Sequence, residues 1–264
     1  MLRSVCLLTP FIFLIQIIVA QQKLPWNGKK CAVVLTYDDG LSVHLTNAIP
    51  VLDSVGLKGT FYLSDYTGLL QSQIPQWQKA AANEHELGNH TMHHPCQGGR
   101  AGREFVQPEN DLNNYTVKRI TDDILSMNAL LNSIDGKTER TFAYPCGDTH
   151  IRDTPYLEPI KNRFLAARGV MPAMLSPDQV KLNDVNCYSV NGQSADELIK
   201  LVQEAKDKKG LLVFLFHGVG GGHSLNVSLD VHSKLLHHLQ HDQDIWNTTL
   251  LDAVKFIRKT SNKK

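Results

Sequence analysis

Two adjacent carboxylates, Asp38 and Asp39, follow an apolar run in the motif Tyr-Asp-Asp-Gly. Neighbouring carboxylates repel each other, and close burial raises the pKa of at least one of them unless a cation or a proton neutralises the charge. Alternatively, the Asp-Gly pair simply makes a turn at a strand end, because both residues tolerate turn geometry. The motif alone leaves both interpretations open.

A second polar motif, His-Thr-Met-His-His, places His90 and His94 four residues apart. Two imidazoles at this spacing can point the same way, whereas the adjacent His93 usually faces elsewhere. Taken alone, the pair is also compatible with an exposed polar loop. Two imidazoles and one carboxylate form a three-ligand metal site with one position left for water. With Asp39 as the carboxylate, a divalent cation would neutralise the crowded charge and leave Asp38 available as a base.

The donor set indicates the metal class. Two imidazoles and a carboxylate suit zinc, and cobalt and nickel accept the same ligands. The sequence contains no His-Glu-x-x-His motif, so it does not indicate a zinc protease of that type. We therefore expect one divalent metal, with zinc as the first candidate.

Strands and helices alternate around these motifs. Apolar and β-branched runs predict strands at 32–35 and in the segments Gly-Thr-Phe-Tyr-Leu, Thr-Phe-Ala-Tyr-Pro, Leu-Leu-Val-Phe-Leu-Phe and Asp-Ile-Trp-Asn-Thr-Thr. Helical spacing predicts helices between them, one of them long with apolar residues recurring from Ile120 to Ile134, and another opened by the capping pair Ser194 and Glu197. Seven or eight such repeats without a low-complexity linker predict a single domain with a parallel sheet, either closed as a barrel or open and doubly wound.

The candidate residues fall just after predicted strands. In a βα barrel, catalytic groups lie at the carboxyl ends of the strands. The polar stretch 97–114 is rich in glycine, asparagine and charge, which is typical of an active-site loop. The residues expected at this end of the barrel are Asp38, Asp39, His90, Pro145 and His217.

Composition and the N-terminal segment indicate a globular, exported protein. The chain has 264 residues, 42% of them hydrophobic and 20% charged, with a net charge of +1. Near neutrality argues against a nucleic acid or an anionic membrane as a partner held by bulk charge.

The apolar run 5–20 predicts a signal peptide (1–20), with an uncleaved anchor as the alternative. A lead-in (21–30) and one domain (31–260) follow, in a secreted, periplasmic or cell-surface protein without a stable membrane partner.

The motifs, in order, resemble those of the polysaccharide deacetylase family with its NodB homology domain. They are Thr-Tyr-Asp-Asp-Gly, His-Thr-x-x-His, Tyr-Pro-Cys-Gly and Leu-Phe-His-Gly, each weak alone and specific in combination, and the resemblance spans residues 31–257. It implies a distorted (β/α)7 barrel and metal-dependent removal of acetyl groups from amino sugars or acetylated xylans. The matched positions are a general base (Asp38), metal ligands (Asp39, His90 and His94) and a general acid (His217).

The third motif of the family departs from its usual Arg-x-Pro-Tyr pattern. Ala143, Tyr144, Pro145 and Cys146 occupy those places, so the arginine that would orient the base is absent. Arg140 is a candidate substitute, although strand alternation puts it on the face opposite Ala143. Tyr144 and Pro145 are accessory candidates. The backbone N–H of Cys146 can still serve an oxyanion hole, because that donor needs no particular side chain.

Without an arginine at position 143, the base is expected to lack a guanidinium partner. The pKa of Asp38 would then exceed that of an arginine-bearing relative. The Asp-Trp pair of the fourth motif also has no convincing match, since Asp184 lies in the right region without a tryptophan. These departures weaken the substrate inference more than the chemistry.

Four cysteines remain after removal of the signal peptide. In an exported chain they permit two disulfides, and no Cys-x-x-Cys pair supports a four-cysteine zinc site. Cys96 and Cys146 each follow a site motif at the expected carboxyl end of the barrel, which predicts that they pair. Cys31 and Cys187 would form the second disulfide.

Other histidines are weaker candidates. His223 follows a glycine run and could reach the site, whereas a predicted late helix carries histidines that are expected to be solvated. The latter are His232, His237, His238 and His241.

Three functions remain to be separated. The leading hypothesis is a secreted metal-dependent deacetylase of an N- or O-acetylated saccharide of the chitin, peptidoglycan or xylan type. The second is a metal-dependent hydrolase of a non-carbohydrate amide, and the third is a non-catalytic carbohydrate-binding protein on the same scaffold. The complete set of candidate catalytic residues argues against the third.

Overall fold

A computed structural model describes residues 24–261. The predicted signal peptide lies outside these residues, and most of the predicted lead-in and domain lie within them. The helices in this part of the chain are all too short or too polar to cross a membrane.

Twelve strands and six α-helices are present in the described part. The strands are β1 (Cys31–Asp38), β2 (Thr60–Leu63), β3 (Glu86–Asn89), β4 (Phe142–Ala143), β5 (His150–Ile151), β6 (Thr154–Pro155), β7 (Ala167–Arg168), β8 (Tyr188–Ser189), β9 (Leu211–Phe216), β10 (Gly218–Val219), β11 (Asn226–Val227) and β12 (Ile245–Thr248). The α-helices are α1 (Ile49–Ser54), α2 (Ile74–Ala82), α3 (Val117–Asp135), α4 (Ala195–Lys208), α5 (Leu229–His241) and α6 (Leu250–Ser261). A π-helix, His44–Ala48, precedes α1.

Eight strands form one curled parallel sheet. Its order is β7-β4-β3-β2-β1-β9-β8, and β12 pairs with the first half of β1. A parallel bridge between Arg168 and Val185 links the outer strand β7 to the segment that leads into β8. The two edges of the sheet therefore approach each other, and the predicted α/β fold, a distorted barrel in one domain, is confirmed.

The central strand β1 is buried along all eight residues, as expected for a parallel strand covered on both faces. Its alternate residues enter two different core clusters. Val33 and Leu35 pack with residues of α1 and α4, whereas Ala32 and Val34 pack with residues of α6. This period of two holds the strand in register and aims its final carboxylates at one end of the sheet.

Local capping contacts fix the ends of α3 and α4. The capping box of α4 is present, because the Ser194 side chain accepts from the Glu197 N–H and the Glu197 side chain accepts from the Ser194 N–H. Helix α3 begins at a Thr116 cap and ends at Gly136, whose φ of 69° suits a left-handed C-terminal residue. These local signals fix the helix ends independently of the site.

Two predictions outside the site are wrong. Cys31 and Cys187 are both free and buried, because they pack in different core clusters of the barrel. His232 is buried rather than solvated, since α5 turns it toward the core, where its Nε2 lies 2.8 Å from the hydroxyl of Tyr37.

Candidate active site

A cleft of about 960 Å³ opens at the carboxyl ends of the central strands. Its volume lies near the upper end of the range for small-molecule sites. The predicted site residues that line it are Asp38, Asp39, His90, His94, Tyr144, Cys146 and His217. The barrel therefore brings together groups that are up to 179 residues apart in the sequence.

Asp39, His90 and His94 face one another at the base of the cleft. Oδ1 of Asp39 lies 3.6 Å from Nε2 of His90 and 3.3 Å from Nε2 of His94. Among the described residues, none donates a hydrogen bond to this buried carboxylate oxygen. A buried oxygen without a donor, facing two imidazole nitrogens, is the environment that a cation would satisfy.

The second nitrogen of His90 fixes its tautomer. Nδ1 lies 2.9 Å from the carbonyl oxygen of Ala143, which can only accept, so Nδ1 carries the proton. Nε2 is then left with a free lone pair, 3.6 Å from Oδ1 of Asp39 and 3.7 Å from Oδ2 of Asp38. This arrangement is the usual one for a metal-binding histidine, whose other nitrogen donates to a carbonyl or carboxylate. The residues present therefore fit a divalent metal.

Burial and charge shift the pKa values of these groups in two directions: those of the imidazoles fall, which favours metal binding, and that of Asp39 rises, a change that a bound cation would oppose. Burial, and then the neighbouring charge of Asp38, raises the pKa of Asp39 to about 6, against an opposing effect of His217. Burial lowers the pKa of His90 to about 3 and that of His94 to about 4. Both imidazoles are consequently neutral near pH 7 and can act as ligands.

Local backbone strain is concentrated at the site. Asp39, Thr91, His94 and Cys146 have φ values of 79°, 66°, 50° and 54° although none is glycine. Such left-handed conformations are uncommon for side-chain-bearing residues and persist where the surrounding structure holds them. Here the strain turns both ligand motifs back toward the cleft.

Asp38 has a guanidinium partner that the sequence did not indicate. Nη2 of Arg168, at the end of β7, donates to Oδ2 of Asp38, and both side chains are buried. Burial alone would raise the pKa of Asp38, but Arg168, His90 and His217 together lower it to about 2. The expectation of an unpaired base with a raised pKa is therefore wrong.

Arg140 does not replace the missing arginine. Its guanidinium donates to Asp135 and to the backbone oxygens of Leu87 and Lys137. Strand alternation accounts for this, because Arg140 precedes β4 on the face turned away from Ala143. Arg140 is a buried structural residue, and the accessory role expected for it is not supported by its contacts.

His217 lies at the strand end beside the two carboxylates, because β9 pairs with β1 and brings Phe216 into register with Tyr37. His217 follows β9, and its ring stacks on that of His223 with centroids 4.8 Å apart. Burial lowers the pKa of His217, while the charges of Asp38 and Asp39 raise it. The structure thus places His223 beside the site, as the sequence suggested.

Cys146 is tied to the loop 97–114 by the predicted disulfide. Cys96 and Cys146 are bonded across 50 residues of sequence. Asp148 adds a second anchor, since it accepts from the Gln97 N–H at 2.8 Å and from the Arg103 guanidinium, which also reaches the Cys146 carbonyl oxygen at 3.0 Å. The loop is therefore held firmly over the cleft.

The remaining candidates fall into different surroundings. His93 turns away from the metal-ligand candidates, and its Nδ1 lies 2.5 Å from Oδ2 of Asp123. Pro145 is buried at the turn before Cys146, and Tyr144 reaches the carbonyl oxygen of Asn183 at 3.3 Å. Asp184 lies against Gly169, next to Arg168.

Arg168 is the functional candidate that the sequence analysis missed. Its strand has only two residues, too few to show a period. The available signal was the short apolar run Phe-Leu-Ala-Ala ending in Arg-Gly, which repeats the pattern of a strand followed by a polar residue at the barrel end.

Comparisons with known proteins indicate a family for this chain. Residues 27–157 match the family model for polysaccharide deacetylase. The peptidoglycan-N-acetylmuramic acid deacetylase PdaA of Bacillus subtilis is 30% identical over 121 residues, which are 45% of this chain and 39% of that protein. The chain thus spans well under half the length of that relative.

Solved structures share the fold. A putative polysaccharide deacetylase from Mycobacterium smegmatis aligns with a TM-score of 0.60 at 13% identity, covering 89% of this chain and 92% of the other. The structure of B. subtilis PdaA, a family 4 carbohydrate esterase, aligns with a TM-score of 0.53 at 16% identity, covering 86% and 81%. The motifs, the family match over residues 27–157 and the barrel together show that this chain belongs to the polysaccharide deacetylase family.

Proposed function

We propose that this protein is an exported, metal-dependent deacetylase that hydrolyses acetyl groups on an N- or O-acetylated polysaccharide or oligosaccharide. One observation carries the proposal: Asp39, His90 and His94 face each other in the same cleft as the Arg168-paired Asp38 and the imidazole of His217. A binding protein would not need this combination of ligands, base and acid. Export rests on the predicted signal peptide.

Each residue has a separate role. A divalent cation held by Asp39, His90 and His94 would polarise the acetyl carbonyl and lower the pKa of water. Asp38 accepts the proton of the attacking water, and Arg168 keeps its carboxylate ionised and oriented. The Cys146 N–H donates to the oxygen that becomes negative.

His217 completes the sequence of proton transfers. Its imidazole donates a proton to the leaving amine or alcohol, which leaves poorly as an anion. The base and acid candidates follow paired residues of β1 and β9, so both stand at the same edge of the cleft. The chemistry applies equally to acetyl amides and acetyl esters, so substrate tests must include both.

Metal analysis and acetate release test the proposal together. Purified protein should contain about one equivalent of metal, lose activity in a chelator and regain it with zinc. Acetate should appear from at least one of three substrates: peptidoglycan, chitin oligomers or acetylated xylan. Peptidoglycan comes first because the B. subtilis relative is described as a peptidoglycan deacetylase.

The outcomes separate the alternatives. Bound metal with no acetate from any of the three substrates would favour a hydrolase of another amide. Saccharide binding with neither metal nor acetate release would favour a binding protein. Release of acetate by chelated protein would contradict the metal-dependent assignment.

A further inference from the structure

The backbone that carries His217 is held by side chains from a distant segment of the chain. His44 and Asn47 lie in the π-helix His44–Ala48, shortly after the Asp-Asp-Gly turn. Nε2 of His44 lies 2.7 Å from the carbonyl oxygen of His217, and Nδ2 of Asn47 donates to the carbonyl oxygen of Val219 at 2.7 Å. Both donors therefore reach the same turn, 217–219.

The orientation of the His44 ring follows from its partner. A carbonyl oxygen only accepts, so Nε2 carries the proton and Nδ1 does not. Nδ1 is buried, and no residue of the described chain forms a hydrogen bond with it. Burial lowers the pKa of His44 to about 4, although the bond to His217 opposes the change. The ring is therefore a neutral donor near pH 7.

A neutral buried histidine without a second partner costs free energy, because its Nδ1 has lost water. An apolar residue would pack at this position without that cost, against the rings of Tyr37 and Phe61, 5.6 and 5.9 Å away. The hydrogen bond to the His217 carbonyl is the contact that an apolar residue could not make. This hydrogen bond explains why position 44 is a histidine.

The same segment also supports the glycine run after His217. A Cβ on Gly222 would lie 2.7 Å from the side chain of Val43, so the two segments approach as closely as glycine allows. Further along, Nδ1 of His223 accepts from the Leu225 N–H at 3.0 Å, which fixes the ring that stacks on His217. The ring that stacks on His217 thus depends on this packed turn.

We propose that His44 and Asn47 are positioning residues that hold the 217–219 turn, so that the imidazole of His217 faces the Asp38 and Asp39 side of the cleft. This inference rests on the proposed function, because it treats His217 as the general acid. The two side chains link the loop that carries the metal-ligand and base carboxylates directly to the strand end that carries the acid. Their effect should appear in kcat, since a catalytic group that is displaced by about 1 Å can cost about 100-fold in rate.

The test uses paired substitutions at His44. His44→Phe keeps a ring but removes the donor, and His44→Gln restores an N–H near the position of Nε2. We expect His44→Phe to lose about 10- to 100-fold in kcat with KM changed less than about twofold. His44→Gln should recover most of the loss, and Asn47→Leu should lose about tenfold.

The matched control is His85→Phe, which removes another fully buried imidazole, one bonded to Asp53 and Gly59 away from the cleft. It should lower stability without lowering kcat. Metal content should equal that of the wild type in every variant. An unchanged kcat in His44→Phe, or an equal loss in His44→Phe and His44→Gln, would overturn the inference. If His44→Phe fails to fold, Asn47→Leu decides by the same criteria.

Amide hydrogen exchange gives a readout that does not depend on activity. The Gly218 and Gly220 N–H groups donate to Leu225 and Val227 at 2.9 and 2.8 Å. Their exchange should be faster in His44→Phe and Asn47→Leu and unchanged in His85→Phe. If the wild type releases no acetate, the proposed function fails by itself, and these exchange rates still support or overturn the positioning of the turn.

Discussion

Replacing Arg168 by methionine removes the guanidinium that contacts Asp38 and keeps a long side chain. The side chains of Arg168 and Asp38 are 0% and 4% exposed, so the variant leaves a buried carboxylate without its guanidinium partner. Breaking a buried ion pair in this way costs about 3–5 kcal/mol. We expect the free energy of unfolding of Arg168→Met to fall by that amount in urea at neutral pH, with the metal chelated.

The loss should depend on pH in a defined direction. In the wild type the pKa of Asp38 is about 2, below the value of about 3.9 for an unfolded aspartate. Its contribution to stability is therefore complete above the unfolded value and is lost as the pH falls through the folded value. In Arg168→Met, the effect of burial on Asp38 is less opposed, so the pKa of Asp38 in the folded protein rises. Protonation of Asp38 then removes the buried charge. The difference in the free energy of unfolding between wild type and variant should thus become smaller as the pH falls from neutral to about pH 4.

Arg140→Met is the matched control. Arg140 and Asp135 are as deeply buried, at 2% and 1% exposure, but lie outside the cleft. This variant should lose comparable stability and keep the kcat/KM of the folded protein, whereas Arg168→Met should lose both. The double variant Asp38→Asn, Arg168→Met lacks both charges of this ion pair and should recover most of the stability.

Two results would refute this reasoning. One is a free energy of unfolding for Arg168→Met within about 0.5 kcal/mol of the wild type, the range of ordinary surface substitutions. The other is a double variant as unstable as Arg168→Met, because the cost could then not come from an unpaired carboxylate.

Other substitutions test the remaining parts of the site. Asp39→Ala should lose both metal and activity, whereas Asp38→Asn should keep the metal and lose about 10²- to 10⁴-fold in kcat; metal content measured beside turnover separates the two roles. His93→Ala should leave the metal content unchanged, and loss of the metal would make His93 a ligand. Joint replacement of Cys96 and Cys146 by serine should lower the free energy of unfolding by about 2–4 kcal/mol, and equal urea midpoints for variant and wild type would contradict this.

Most of the fold could be predicted from local patterns. The apolar run of β1, the helical spacing in α3 and the Ser194–Glu197 capping box each report on a few neighbouring residues, and the structure confirms them. The two-residue strand β7 is different, because a strand of that length has no period. Its position depends on pairing with distant segments, which a sequence pattern does not reveal.

The ligand and base candidates were accessible to sequence reasoning because each follows a recognisable strand. Asp38, Asp39 and His217 stand at strand ends, and the barrel topology then predicts that they converge. The Cys96–Cys146 pairing followed from the same topology, since both cysteines come after site motifs. The pairing of Cys31 with Cys187 had no such support, and the structure puts them in separate cores.

The sequence by itself determined the donor groups: two carboxylates at one strand end, two histidines four residues apart and a third histidine after a late strand. Side-chain chemistry and short-range spacing are enough for that, because they do not depend on how the chain folds back on itself. Only the tertiary structure decided which cation faces Asp38, since Arg140 and Arg168 carry the same group and differ in the face of the sheet they occupy. It likewise decided that His232 is buried against Tyr37 and that His44 reaches the His217 carbonyl, because contacts between segments 173 or more residues apart depend on packing.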